Sequence, residues 1–87
     1  MSKRRSFYVY QQNGDGRNNL CGLKIRQLRL QKHWSQRQLA EKLQLLGIDL
    51  DKNAIQRMEA GLRFVTDIEL FALAKTFETT SDALLEK

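Results

Sequence analysis

The chain has 87 residues, 15 Lys and Arg against 10 Asp and Glu, a single His, a single Cys and no Pro. That length holds one small domain and leaves no room for a catalytic domain beside a regulatory one. The lone Cys and lone His exclude an internal disulfide and a zinc site built from such ligands, so no metal and no other cofactor is expected.

Charge is distributed unevenly. Residues 1–37 carry nine basic side chains and one acid, Asp15, whereas residues 38–87 carry six bases and nine acids. A polyanion is therefore met first by the N-terminal part, and the C-terminal half faces protein or solvent. No apolar run approaches the roughly 20 residues that span a bilayer. The start MSKRRSFYVYQQ has a cationic front without the long apolar region of a signal peptide, so no membrane association and a cytoplasmic location are expected.

Residues 1–21 read as a basic polar N-terminal arm, distinct from a helical domain over residues 22–87. Lys3, Arg4 and Arg5 form a basic run that can add contacts to a polyanion, because counterion release rewards any cation that reaches phosphate. The alternative is a solvated terminus. Phe7-Tyr8-Val9-Tyr10 is the only β-prone run, and it fits a flexible tail, a packed arm or a strand shared between two protomers. Asn13-Gly14-Asp15-Gly16 is a cluster of turn formers, and Cys21 reads as an unpaired thiol.

From Gly22 onward the apolar spacing predicts five short helices bounded by caps and glycines. The first, about Leu23 to His33, places Ile25, Leu28, Arg29 and Lys32 on one face. The second opens on Ser35-Gln36-Arg37-Gln38, a capping box, and its inward stripe is Leu39, Ala40, Leu43 and Leu46. Trp34 and His33, at the corner between them, read as core filler and a solvent-facing polar group. Gly47 breaks the second helix, Ile48 and Leu50 supply apolar side chains for the turn, and Asp51 caps a third helix running to about Ala60 and Gly61. Thr66-Asp67-Ile68-Glu69 repeats the capping box and starts a fourth helix with Leu70, Leu73, Ala74 and Phe77 inward. Thr80 caps a last helix carrying Leu84 and Leu85.

On the third helix Ile55, Met58, Glu59 and Leu62 fall on one side, while Asn53, Gln56, Arg57 and Ala60 project on the other. Such an outward face suits a major-groove reader, since Asn can bond two adenine edge atoms and Arg two guanine acceptors. Taken singly these residues are also what any solvated helix face carries. Arg29 and Glu59 lie on the apolar faces of their helices, where a lone charge is intolerable, so a structural ion pair between them is expected.

Together, Ile25-Arg26-Gln27-Leu28-Arg29, Ser35-Gln36-Arg37-Gln38-Leu39-Ala40, Ile55-Gln56-Arg57-Met58-Glu59-Ala60-Gly61, Leu70-Phe71-Ala72-Leu73-Ala74 and Asp82-Ala83-Leu84-Leu85 resemble the lambda-repressor-like (XRE-family) helix-turn-helix domains. The resemblance implies an all-α, compact five-helix bundle containing a helix-turn-helix, here with an N-terminal basic arm, and a third helix that enters the major groove of double-stranded DNA. It implies base reading by Lys52, Asn53, Gln56 and Arg57, and backbone contacts at Ser35, Gln36, Arg37 and Arg63. One departure is the distance between Ala40 and Ile55, fifteen residues, which makes the turn between the second and third helices long.

The expected function is a sequence-specific double-stranded DNA-binding transcriptional regulator, a homodimeric repressor on an inverted-repeat operator. One reading helix covers only half a site. Leu84-Leu85 is the first choice for the dimer contact, ahead of the neighbouring loop and Phe7-Tyr8-Val9-Tyr10. The alternative is an antitoxin or adaptor module whose main role is to bind a protein partner, which suits the acidic C-terminal half. An enzyme is the weakest reading, because His33 lies between Lys32 and Trp34 with no nucleophile pairing and no glycine loop for phosphates.

Overall fold

A computed structural model of the chain describes residues 16–86. Lys3, Arg4, Arg5 and Phe7-Tyr8-Val9-Tyr10 lie outside the described residues. The described residues form five helices and no strand: α1 (Gly22–Gln31), α2 (Gln36–Leu45), α3 (Lys52–Glu59), α4 (Asp67–Thr76) and α5 (Ser81–Leu85).

Local chemistry sets the helix starts. Ser35 Oγ accepts from Gln38 N at 3.0 Å while Gln38 Oε1 accepts from Ser35 N at 2.8 Å, closing the capping box of α2. Thr66 and Glu69 do the same for α4. Asp51 Oδ1 accepts from Ala54 N at 2.8 Å and Thr80 Oγ1 from Ala83 N at 3.1 Å, so α3 and α5 are capped as well. Each such cap satisfies a backbone donor that the first helical turn leaves unpaired, worth about 1 kcal/mol.

The helix ends depart from the expected positions in one case. α1 stops at Gln31, before His33, because His33 takes a left-handed conformation (φ 60) and turns the chain toward α2. Gly47 (φ 84) and Gly61 (φ 81) end α2 and α3 in the same way, without the steric cost that a side chain brings.

Ile25, Leu39, Leu43, Ile55, Met58, Leu73 and Leu84 are fully buried at the centre. α2 packs on α3 and α4, α1 on α3 and α5, and α4 on α5, so that α3 is held from two sides. The long turn over residues 46–51 is part of the core: Leu50 is buried, Ile48 packs against the cluster, and Ile48 N donates to Leu43 O at 3.0 Å. Trp34 stacks on Phe77 with ring centroids 5.5 Å apart, and Lys42 Nζ lies 4.5 Å from the Trp34 ring.

Two apolar residues expected inside are not. Leu46 and Leu62 are exposed, because each follows the last helical residue of its element, where the chain has already left the helical path. Of the pair expected to make the dimer contact, Leu84 is fully buried and gives a second copy of the chain no surface to touch, whereas Leu85 is only partly buried.

Candidate nucleic-acid interface

α3 divides cleanly by side. Ile55, Met58 and Glu59 are buried, whereas Lys52, Asn53, Gln56, Arg57 and Ala60 are exposed. The four polar readers have no side-chain hydrogen bond or ion pair among the described residues, which leaves their donors and acceptors available to an incoming surface. A depression of about 330 Å³ is lined by Asn53 and Arg57 together with Asp51, Leu62 and Arg63. A second, of about 370 Å³, lies where Arg37, Glu41 and Gln44 of α2 face Asp51 and Lys52 at the start of α3. Concave surface thus borders α3 along Asn53 and Arg57 and at its start, with Asp51 lining both depressions.

The buried side is fastened by charge. Arg29 Nε lies 2.7 Å from Glu59 Oε2, and Arg29 Nη2 lies 3.0 Å from Glu59 Oε1, a two-pronged pair linking α1 to α3. Arg29 Nη1 also donates to Trp34 O at 2.8 Å, so the corner between α1 and α2 is tied to the same group. Gln36 Nε2 donates to Glu59 Oε1 at 3.1 Å, which brings the first residue of α2 into the network. The buried Glu59 carboxylate thus accepts three side-chain hydrogen bonds, two of them from its ion partner, which offset the cost of removing it from water.

The remaining backbone-contact candidates are placed differently from one another. Arg37 is exposed and faces Glu41 at 3.8 Å across one helical turn, a surface pair worth only about 0.3–0.5 kcal/mol. Ser35 spends its hydroxyl on the cap. Arg63 is committed to Glu69, with contacts of 2.7 and 3.0 Å, and its Nη1 donates to Phe64 O at 2.9 Å. The hydrogen bonds with Glu69 raise the Arg63 pKa above its ordinary value, with burial opposing. On Glu69 burial pushes the carboxyl up, but Arg63 and Thr66 together outweigh it and hold the pKa below the ordinary 4.5.

The residues that sequence reasoning missed lie just ahead of α1. Asn19 is buried, its Nδ2 donates to Met58 O at 3.0 Å and to Arg63 O at 2.7 Å, and its Oδ1 accepts from Gly22 N at 2.8 Å. Arg17 Nη2 donates to Glu59 O at 2.7 Å, and Asn18 N donates to Gly61 O at 2.8 Å. These bonds add acceptor partners at and just beyond the end of α3, where helical carbonyls run out of intrahelical donors; Met58 O also accepts from Gly61 N at 3.1 Å. Residues 17–21, read from sequence as part of the arm, therefore belong to the packed body and grip the C-terminal end of α3. Gly22 is needed for this approach, since a Cβ there would run into Met58 O. The one available signal was an Asn three residues ahead of a helix start, a spacing that favours side-chain capping.

Cys21 is buried beside this segment and is a free thiol. Burial, with a smaller contribution from Glu69, pushes its pKa up to about 11 against the lowering effects of its own backbone hydrogen bond and Arg17. It is a poor nucleophile in the folded chain.

No group of three or more metal-ligating side chains occurs among the described residues, and no helix there is long and apolar enough to cross a membrane. Comparison with known proteins gives one family: a model described as helix-turn-helix matches residues 25–84, about two thirds of the chain. No curated protein and no solved structure matches.

Proposed function

Starting from a chain that belongs to the lambda-repressor-like (XRE) helix-turn-helix family of DNA-binding transcription regulators, we propose that it is a sequence-specific homodimeric repressor reading an inverted-repeat operator through α3. The observation that carries this reading is the exposed face of Lys52, Asn53, Gln56 and Arg57, whose polar groups are uncommitted on a helix fastened firmly from behind. Asn53 and Arg57 carry the groups able to make two-pronged contacts with base edges. Arg37 and Lys52 flank the face as phosphate contacts, and Gln36 lies where the amides and dipole of α2 favour an anion. Arg63 would reach phosphate only by loosening its bond to Glu69. Lys3, Arg4 and Arg5 would add contacts as an arm.

Two copies are needed because one helix covers half a site. Ile68 and Phe71 are exposed one turn apart on α4, an apolar surface that a second copy would cover, in place of the buried Leu84. The same side chains favour a second reading, a module that mainly grips a protein partner.

Replacing Asn53 and Arg57 together by Ala separates the two. The repressor reading predicts loss of specific DNA binding with an unchanged helical signal and melting temperature. A protein whose cellular activity survives the double replacement is not primarily a DNA reader.

A further inference from the structure

Asp51 stands where the two depressions bordering α3 meet. It lines one together with Asn53 and Arg57 and the other together with Lys52, so it shares a concave wall with three of the four proposed readers. The residue is exposed, and one carboxylate oxygen is committed: Oδ1 accepts from Ala54 N at 2.8 Å, the bond that caps α3. Among the described residues the side chain makes no other hydrogen bond and no ion pair, although Lys52 and Arg57 lie on the same walls. The other oxygen is left to whatever closes over this surface.

The cap bond has a consequence for recognition. A surface carboxylate that meets a polyanion ordinarily rotates away, but rotation of Asp51 would break its bond to Ala54 N and leave a helix-start amide unpaired. Asp51 therefore stays at the wall when a groove closes over α3, and its free oxygen loses water there. Only a donor on the DNA offsets that loss. In the major groove guanine presents the acceptors N7 and O6, and thymine presents O4 and a methyl group. Adenine places its N7 acceptor beside its N6 amine, whereas the cytosine edge offers the N4 amine with no acceptor of its own. The positive charges of Lys52 and Arg57 on the same walls reduce the repulsion between the carboxylate and nearby phosphates. Resting on the reading of DNA by α3 proposed above, we infer that Asp51 is a specificity-determining residue: it accepts a hydrogen bond from a cytosine N4 amine and fixes cytosine at one position of each half-site.

The test separates the charge from the cap. Asn caps a helix about as well as Asp, so Asp51→Asn keeps the bond to Ala54 N, removes the charge and should melt with the parent; Asp51→Ser, which also caps, repeats the test if it does not. Full-length protein is measured by competition on duplexes in which each position of a selected half-site carries each of the four bases. The parent should prefer cytosine over guanine or thymine at one position by about 5–100-fold. Asp51→Asn should abolish that preference while keeping those that Asn53→Ala or Arg57→Ala removes at other positions. Unchanged preferences at every position, with tighter binding to all sequences alike, would reduce Asp51 to a cap and overturn the inference while α3 still reads. Loss of a preference for guanine or thymine in place of cytosine would overturn it as well. If no position discriminates in the parent, the reading by α3 falls and takes this inference with it.

Discussion

The two sides of α3 treat their polar groups in opposite ways. Inward, Glu59 is held by Arg29 and Gln36, while the backbone carbonyls of Met58 and Glu59 are held by Asn19 and Arg17. Outward, Lys52, Asn53, Gln56 and Arg57 make no such bonds among the described residues. The lesson concerns preorganisation: a reading helix fixed from behind spends little of its binding free energy on ordering itself, and its exposed groups remain free for a partner. The contrast can be broken from the inside or sharpened from the outside.

The largest effect is expected at the buried pair. Glu59→Ala leaves the Arg29 guanidinium buried without its partner and should destabilise the fold by about 3–5 kcal/mol, read as a large fall in urea midpoint. The double replacement R29M/E59L should recover most of that loss, since removing both ions removes the desolvation cost too. If the double variant is as unstable as the single one, the pair is not what holds α1 to α3.

Next is Asn19→Ala, which strips partners from Met58 O, Arg63 O and Gly22 N at once and should cost about 1–3 kcal/mol. Hydrogen exchange should accelerate selectively in the last turn of α3. Uniform acceleration over all five helices would show that Asn19 serves the whole fold and not this junction.

The Arg63–Glu69 pair gives the smallest effect and a pH signature. Because the folded-state pKa of Glu69 is below its ordinary 4.5, the stabilisation is present above that value and is lost as pH falls through the lower folded value. Acid unfolding of the parent should therefore be steeper below about pH 4.5 than that of Glu69→Gln. Parallel curves would show that Glu69 contributes nothing through its charge.

Much of this architecture is written in short-range patterns. Ser35 and Gln38, Thr66 and Glu69, Asp51 and Thr80 place the helix starts because a cap is a bond between residues two or three apart. The division of α3 into sides follows from its 3.6-residue repeat. Reading fails where the chain stops being periodic. The helical repeat projects Leu46 and Leu62 inward along helices that have already ended, and nothing about His33 marks it as the residue that takes the left-handed turn. The grip of Arg17, Asn18 and Asn19 was illegible for another reason: side-chain bonds to carbonyls some forty residues away leave no repeat in the sequence.

The outer face of α3 either reads base sequence or it does not. Selection from a random double-stranded DNA library, with the winners retested across a salt series, tests this most directly. An enriched inverted repeat, bound with a steep salt dependence and relaxed in sequence preference by Asn53→Ala or Arg57→Ala at about 1–3 kcal/mol per contacted base, is the predicted result. No enriched sequence, or weak binding uniform across sequences, would contradict it.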